Sequence, residues 1–138
     1  MEYWNLEIAY CMNLEELREK CLSVRGVEEC LPFDEDTPVY KIMGKMFAYY
    51  SITPHGGEFF VNLKCAPDRS VELRERYQGV KKPYHAADTL KWNSVYIQGD
   101  VPDAVITELV NHSVDEVIAA LPKKKREEYF DFINKKIY

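Results

Sequence analysis

The sequence predicts a two-layer α+β domain in which helices pack mainly on one face of an antiparallel sheet. Its 138 residues, 46% of them hydrophobic, are enough for one domain with its own core. Apolar and polar residues alternate between Val39 and Cys65, with glycine-containing turns between the runs, as in antiparallel strands. Apolar residues recur at helical spacing before this stretch and again beyond Asp100. The expected order is one helix, three or four strands, one helix, one or two strands, and two or three helices.

The domain itself is expected to span residues 13–126. Residues 1–12 form an N-terminal extension, and residues 127–138 a helical tail of the same domain. The extension is rich in aromatic residues but weakly patterned. Three interpretations of it stay open: a helical turn, a mobile tail, or an arm that packs on the domain.

The first helix is predicted to begin at Asn13, because Asn13 and Glu16 resemble a capping box. Its apolar positions are Leu14, Leu17, Cys21 and Leu22, and Gly26 ends it. A short strand is then expected within residues 27–33, before an acidic turn.

A hairpin should follow, with the strand that starts at Val39 joined to a return strand over residues 46–53. Gly44-Lys45 is expected to form a type II′ turn between them. A second turn is predicted at His55-Gly56-Gly57. In the strand after it, Phe60, Asn62 and Lys64 should face one side of the sheet, and Phe59, Val61, Leu63 and Cys65 the other.

The second half of the sequence predicts mostly helix. A polar helix should run from Pro67 to Tyr77, with its arginines in solvent, and one more strand is expected over residues 92–98. Another helix should start near Pro102 and break near His112, because S-V-D-E at Ser113 looks like a second capping box. A last helix is expected after Pro122.

The composition favours a cytoplasmic protein. The net charge of −5 argues against a purely electrostatic attraction to nucleic acid or anionic lipid, although a local basic face remains compatible with it. The four cysteines form no CxxC pair, so reduced, buried thiols are expected. No stretch is long and apolar enough for a membrane span, so no membrane association is expected.

No catalytic residue, metal site or cofactor is predicted, and the chain is expected not to be an enzyme. His85, Asp88 and Ser94 have the chemistry of a nucleophile and its base, but they follow no known catalytic spacing. The three histidines lack the spacing of a metal site. Gly56-Gly57 is a turn rather than a phosphate loop, since no Gly-Lys-Ser/Thr follows it.

The segment from Lys81 to Leu109 is the best place to look for a binding site. Lys81, Lys82 and Lys91 could neutralise phosphates there, while the rings of Tyr84, His85 and Trp92 could stack on bases. The alternative is structural, with His85 bridging a loop and Trp92 packed at a sheet edge.

The succession VRGVEECLPFDEDTPVYKIMGKMFA, VNLKCAPDRSVELRERY, KPYHAADTLKWNSV and GDVPDAVITELVNHSVDEV closely resembles the MmcQ/YjbR family, over about residues 12–126. The resemblance implies a fold like that of the secretion chaperones and a DNA-binding function of double-wing type. Many relatives place a His directly before the late-strand Trp, where this chain has Lys91. With the Gly44-Lys45 hairpin as a wing, the candidate nucleic-acid contacts are Lys45, Lys81, Lys82, Tyr84, His85, Lys91 and Trp92.

Three functional hypotheses follow. The leading one is a cytosolic, non-enzymatic domain that binds double-stranded DNA, as a monomer or weak dimer. The second is a protein-interaction module that presents a sheet face to a protein partner, through Tyr40, Phe47, Tyr49, Phe60 and Tyr96. The third is a small-molecule pocket lined by Tyr84, His85 and Trp92.

Overall fold

Six strands pair side by side in one antiparallel sheet. They are β1 (Val27–Cys30), β2 (Val39–Ile42), β3 (Lys45–Tyr50), β4 (Phe60–Lys64), β5 (Val80–Lys81) and β6 (Trp92–Tyr96), in the spatial order β1-β2-β3-β4-β6-β5. The four helices are α1 (Leu14–Leu22), α2 (Pro67–Arg76), α3 (Asp103–Ala120) and α4 (Lys123–Lys135). The structure is a computed structural model, and it describes residues 12–83 and 89–135. Within these ranges, no helix is both long and apolar enough to cross a membrane.

The predicted α+β class and element order are confirmed. The start of α1 is also as expected, since Asn13 Oδ1 accepts a hydrogen bond from the Glu16 backbone N–H at 2.9 Å. Three strands end earlier than expected. Strand β1 ends at Cys30 rather than near residue 33, β3 at Tyr50 rather than 53, and β6 at Tyr96 rather than 98.

The core lies between the sheet and the helices. Tyr50, Val61, Val95 and Val80 are paired across four neighbouring strands, so their side chains project from the same face. All four belong to one buried cluster with residues from every helix, including Leu17, Leu73, Ile106 and Tyr129. Tyr40 and Phe47 belong to this cluster too and are fully buried, so the prediction that they face a protein partner is wrong.

The hairpin turn between β2 and β3 differs from the prediction. Lys45 pairs with Ile42, so the two turn residues are Met43 and Gly44 rather than Gly44 and Lys45. Both have positive φ, +50° and +80°, which is the pattern of a type I′ turn rather than a type II′ turn. A type I′ turn matches the twist of the strands, and the glycine at its second position supplies one of the two left-handed residues.

Helix α3 is continuous, and the break expected near His112 is absent. Ser113 does not cap a new helix, because its hydroxyl bonds Leu109 O at 2.9 Å in the preceding turn and Lys64 O at 2.6 Å at the end of β4. His112 Nε2 accepts from Ala66 N at 3.1 Å, directly before α2. This polar pair therefore joins α3 to the β4–α2 connection.

Strand β5 lies in a stretch where the sequence predicts no specific strand. Val80 and Lys81 instead pair with Val95 and Ser94 of β6. Asp100 stabilises the approach to β5, since its carboxylate accepts from Gln78 N at 2.8 Å and Gly79 N at 2.7 Å. The sheet therefore extends one strand beyond β6.

Candidate nucleic-acid interface

The second face of the sheet carries polar and aromatic side chains. One row of paired residues crosses all six strands: Cys30, Val39, Tyr49, Asn62, Ser94 and Lys81. This row alternates with the core row of Tyr50 and Val61, so it projects away from the side on which the four described helices pack. The prediction that Phe60, Asn62 and Lys64 share a face is consistent with this register.

Four rings on this face form two pairs. Tyr49 and Trp92 meet edge to face, with ring centroids 5.5 Å apart, and Phe60 and Tyr96 lie tilted at 5.0 Å. Tyr49, Trp92 and Tyr96 are partly exposed, while Phe60 is 9% exposed. We call these four residues, together with Lys64 and Lys81, the aromatic face. It offers apolar ring surface beside positive charge.

The two lysines of the aromatic face lie against its rings. Lys64 Nζ is 6.0 Å from the centroid of the Trp92 ring, and Lys81 Nζ is 4.8 Å from that of Tyr96. Both distances fall within the reach of a cation–π interaction. Each ammonium group is therefore held beside a ring that could stack on a ligand.

Charge is unevenly distributed along the sheet. Lys64 pairs with Trp92, so the end of β4 and the start of β6 lie together, and Lys91 directly precedes Trp92. Lys45 at the start of β3 and Lys82 after β5 belong to the same end of the sheet by register. We call these four lysines, Lys45, Lys64, Lys82 and Lys91, the basic end. Asp34 and Asp36 lie instead near Phe60, at the opposite end of β4.

The start of β6 is fixed by Arg74 of α2. Arg74 Nε donates to Asn93 Oδ1 at 2.7 Å, and Nη2 donates to Trp92 O at 3.0 Å and to Thr89 O. Ser70 of the same helix donates to Leu90 O at 2.7 Å and accepts from Asn93 Nδ2 at 3.0 Å. The prediction that Arg74 lies on a purely solvated face is therefore wrong, because its guanidinium positions the segment that carries Trp92.

Of the predicted contacts that the structure describes, Lys81 and Trp92 belong to the aromatic face, and Lys45, Lys82 and Lys91 belong to the basic end. Lys45, Lys81, Lys82 and Lys91 are exposed, and Trp92 is partly exposed beside Tyr49. Tyr84 and His85 lie outside the described residues, so the small-molecule pocket expected between them and Trp92 stays a prediction. Ser94, which has the chemistry of a nucleophile, is 1% exposed and donates to Asn62 Oδ1 at 2.6 Å. In residues 12–83 and 89–135, no three His, Cys, Asp or Glu side chains are grouped as metal ligands.

Sequence reasoning misses Lys64, and it assigns Tyr49, Phe60 and Tyr96 to a protein surface rather than to the same site as Trp92. The alternation in β4 is a usable signal, since it places Lys64 on the same face as Phe60. The contact between Tyr49 and Trp92 needs the strand order, because β4 lies between the strands that carry them.

A larger groove of about 630 Å³ lies on the helix side, between the α1–β1 connection and α4. Its lining is mainly apolar, with Leu22, Val24, Met43 and Phe132, and it holds the cation Arg25 beside the acidic Glu28. These apolar side chains suit phosphate poorly, so the aromatic face is the better nucleic-acid candidate.

Comparison with known proteins gives a consistent family match. The family model described as YjbR matches residues 22–115. The uncharacterised Escherichia coli O157:H7 protein YbdF is 32% identical over 113 residues, which cover 82% of this chain and 90% of the relative. The uncharacterised protein YjbR of Escherichia coli K12 is 28% identical over 116 residues, covering 84% of this chain and 96% of YjbR.

Solved structures support the fold. Deinococcus radiodurans protein DR2400, whose crystal structure is described with the domain DUF419, superposes with a TM-score of 0.76. It is 30% identical, and the match covers 86% of this chain and 88% of DR2400. A Pseudomonas syringae protein crystal structure, 20% identical, has a TM-score of 0.63 and covers 74% of this chain and 96% of that one, which shows the fold alone.

Proposed function

This chain belongs to the YjbR family, and we propose that it is a non-enzymatic domain that binds single-stranded nucleic acid on the aromatic face. The observation that carries the proposal is a pair of cation–π contacts on one side of the sheet. The Lys64 ammonium lies over the Trp92 ring, and the Lys81 ammonium lies over the Tyr96 ring. Proteins that bind single strands combine such cations, which contact phosphates, with rings on which bases stack.

The spacing of the rings favours a single strand over the duplex expected from the sequence. Trp92 and Tyr96 are four residues apart on β6, which corresponds to about 13 Å at ~3.3 Å per residue. Neighbouring bases within one strand of a duplex are only about 3.4 Å apart and are already stacked on each other. An extended strand with unstacked bases can contact both ring pairs, whereas a duplex cannot.

The lysines distinguish this proposal from a protein-interaction module. The aromatic face would sit at the centre of such an interface, where lysine is depleted and aromatic residues are enriched. Lys64 and Lys81 lie among the rings rather than at a distant rim. Of the five aromatic residues first assigned to a protein partner, Tyr40 and Phe47 are buried in the core, which removes part of that surface.

The basic end is the part of the sheet that would attract the phosphates of a nucleic-acid strand. Lys45, Lys82 and Lys91 are exposed at this end of the sheet and add positive charge there. A strand could therefore contact phosphate-binding lysines at this end and lay its bases along the rings. The local positive charge allows this in a chain whose net charge is −5.

The proposal is tested by fluorescence anisotropy with a labelled single strand of about 12 nucleotides, at low and moderate salt. Binding should saturate and weaken as salt rises, because lysine–phosphate pairing releases counterions. In a Lys64→Ala/Lys81→Ala variant, the salt slope should become shallower by roughly 0.7 for each lysine–phosphate pair that the substitutions remove.

The matched control is Lys124→Ala/Lys125→Ala, which removes the same charge from exposed positions on α4. This control should bind as the wild type does. Equal weakening in both variants would mean that only net charge matters and would contradict a site on the aromatic face. Absence of saturable binding at low salt would reject the proposed single-strand binding.

A further inference from the structure

A cavity of about 430 Å³ opens beside the aromatic face, at the end of the sheet opposite the basic end. Its walls come from the β1–β2 connection, the β3–β4 connection and the strands between them. The volume lies within the range of small-ligand pockets. Its lining includes Asp34, Asp36, Tyr49, His55, Phe60 and Asn62.

Asn62 is a buried polar side chain that lines this cavity. Only 7% of it is exposed, and its Oδ1 accepts from the Ser94 hydroxyl at 2.6 Å. Its amide nitrogen Nδ2 has no acceptor among the described residues. That nitrogen is not enclosed by protein either, since Arg126 Nε is the one fully buried, unpartnered side-chain nitrogen or oxygen in the described part of the chain. Because it is open and has no acceptor in this part of the chain, Asn62 Nδ2 can donate to an acceptor on a molecule in the cavity.

The acidic rim of the cavity is held in place by backbone hydrogen bonds. Asp36 N donates to Asp34 Oδ1 at 2.8 Å, and Asp36 O accepts from Ile52 N at 2.8 Å. The Asp36 carboxylate has no hydrogen bond or ion pair within residues 12–83 and 89–135. Asp36 is therefore fixed through its backbone, while its side chain remains available as an acceptor.

Rings form another wall of the cavity. His55 and Phe60 lie with their centroids 5.5 Å apart, and Phe60 continues to Tyr96 on the aromatic face. Tyr49 lines the cavity and also contacts Trp92. The cavity is thus continuous with the surface on which bases are proposed to stack.

We propose that this cavity binds a nucleobase that carries an exocyclic amino group, and the proposal rests on the function assigned above to the aromatic face. An ionised carboxylate can only accept hydrogen bonds, so Asp36 would accept from the amino group. Asn62 Nδ2 would donate to a neighbouring ring nitrogen or carbonyl of the same base. Tyr49 and Phe60 would contact the plane of the ring.

This arrangement discriminates between bases. Cytosine, adenine and guanine each present an amino group and an acceptor, and pairing of carboxylates with cytosine and of asparagine with adenine is common in protein–DNA complexes. Thymine and uracil present a carbonyl oxygen where cytosine has its amino group, and this oxygen would face the Asp36 carboxylate. The cavity should therefore reject them.

The experiment compares oligo(dC) with oligo(dT) of equal length by anisotropy at neutral pH. The expected result is roughly five- to hundredfold tighter binding of oligo(dC), as for one well-placed base contact. Asp36→Asn should bring the two affinities together, whereas Asp115→Asn, which removes an exposed carboxylate from α3, should leave the preference intact. Asp36→Asn keeps the backbone bond to Ile52, so its folding is not at risk.

Equal affinity for both strands in the wild type would overturn the base preference and leave the proposed function standing. If neither strand binds, the proposed function fails, and the cavity is tested alone with cytidine and uridine by ¹H–¹⁵N NMR. A shift of the Asn62 side-chain amide signals with cytidine but not uridine would support a site for the free nucleoside. No shift with either would overturn the inference.

Discussion

At the scale of residues, this fold places single polar groups where they hold connections together. Asp100 accepts two backbone hydrogen bonds from the turn before β5, and Arg74 donates to two backbone carbonyls at the start of β6 and just before it. In the sequence, both residues have the pattern of ordinary surface charges. Their partners are 15 to 22 residues away, so local pattern could not reveal them.

Asp100 makes the stability of the protein depend on pH. The Gln78 backbone N–H, helped by that of Gly79, lowers the pKa of the Asp100 carboxyl below its ordinary value of 3.8, although partial desolvation opposes this. The folded-state pKa is depressed, so this stabilisation is complete above pH 3.8 and is lost as the pH falls through the folded pKa. Asp100→Asn should therefore lower the Tm at neutral pH, and the two Tm curves should converge in acid.

Thermal unfolding followed by circular dichroism between neutral pH and about pH 2 measures this effect. Glu75→Gln, which removes an exposed carboxylate from α2, is the control and should shift the Tm little. A constant difference between wild type and Asp100→Asn at all pH values would show that the charge of Asp100 is not involved.

At the scale of elements, α4 docks on the α1–β1 connection through Tyr129. The Tyr129 hydroxyl donates to Arg25 O at 2.8 Å, and its ring lies over Gly26, whose φ is +77°. A Cβ added to Gly26 would lie 2.9 Å from Tyr129 Cε1. The sequence predicts Gly26 as the end of the first helix region, but the ring that covers it lies about a hundred residues later in the chain.

Gly26→Ala should be clearly more destabilising than Gly44→Ala. Both glycines have left-handed backbone, +77° and +80°, so each substitution carries a strain of about 1 kcal/mol. Only the alanine at position 26 would be overpacked, against the Tyr129 ring. At position 44 nothing lies within 4 Å of an added Cβ. The overpacking should lower the free energy of unfolding by a further 1–3 kcal/mol or so, roughly the usual cost of overpacking, as measured by urea denaturation. Equal destabilisation by the two substitutions would mean that the Tyr129 ring yields without cost.

The elements that could be predicted from sequence are those whose pattern extends over several consecutive residues. The cap of α1, the extents of α1 and α2, the two glycine turns and the alternation of β4 all depend on residues that are close in sequence. Their predicted positions agree with the structure to within a few residues, apart from the type of the first turn. Strand β5 has two residues, too few for any periodicity. The false break in α3 comes from Ser113, whose acceptor Lys64 O is 49 residues away.

At the scale of the whole molecule, the two faces of the sheet have different roles. One face packs against all four described helices and forms the core, while the other presents the aromatic face. The sequence indicates lysines and Trp92 as one site and a set of aromatic residues as another. Strand pairing unites Trp92 with Tyr49, and Lys81 with Tyr96, and only tertiary structure could supply that connection.

The same sheet also separates charge. The basic end and the acidic rim of the cavity lie at opposite ends of β4, so a bound strand would meet phosphate-binding lysines at one end and a base-binding cavity at the other. Between these two ends, the bases would stack on the aromatic face.

The most direct test uses Trp92 as its own probe. The chain has two tryptophans, Trp4 and Trp92, so a Trp4→Phe variant leaves Trp92 as the sole tryptophan emitter. Titration with an unlabelled single strand should quench and shift the Trp92 emission, and the midpoint should agree with that from anisotropy. Saturable binding without a change in Trp92 emission would contradict the account, because the strand would then lie elsewhere on the protein.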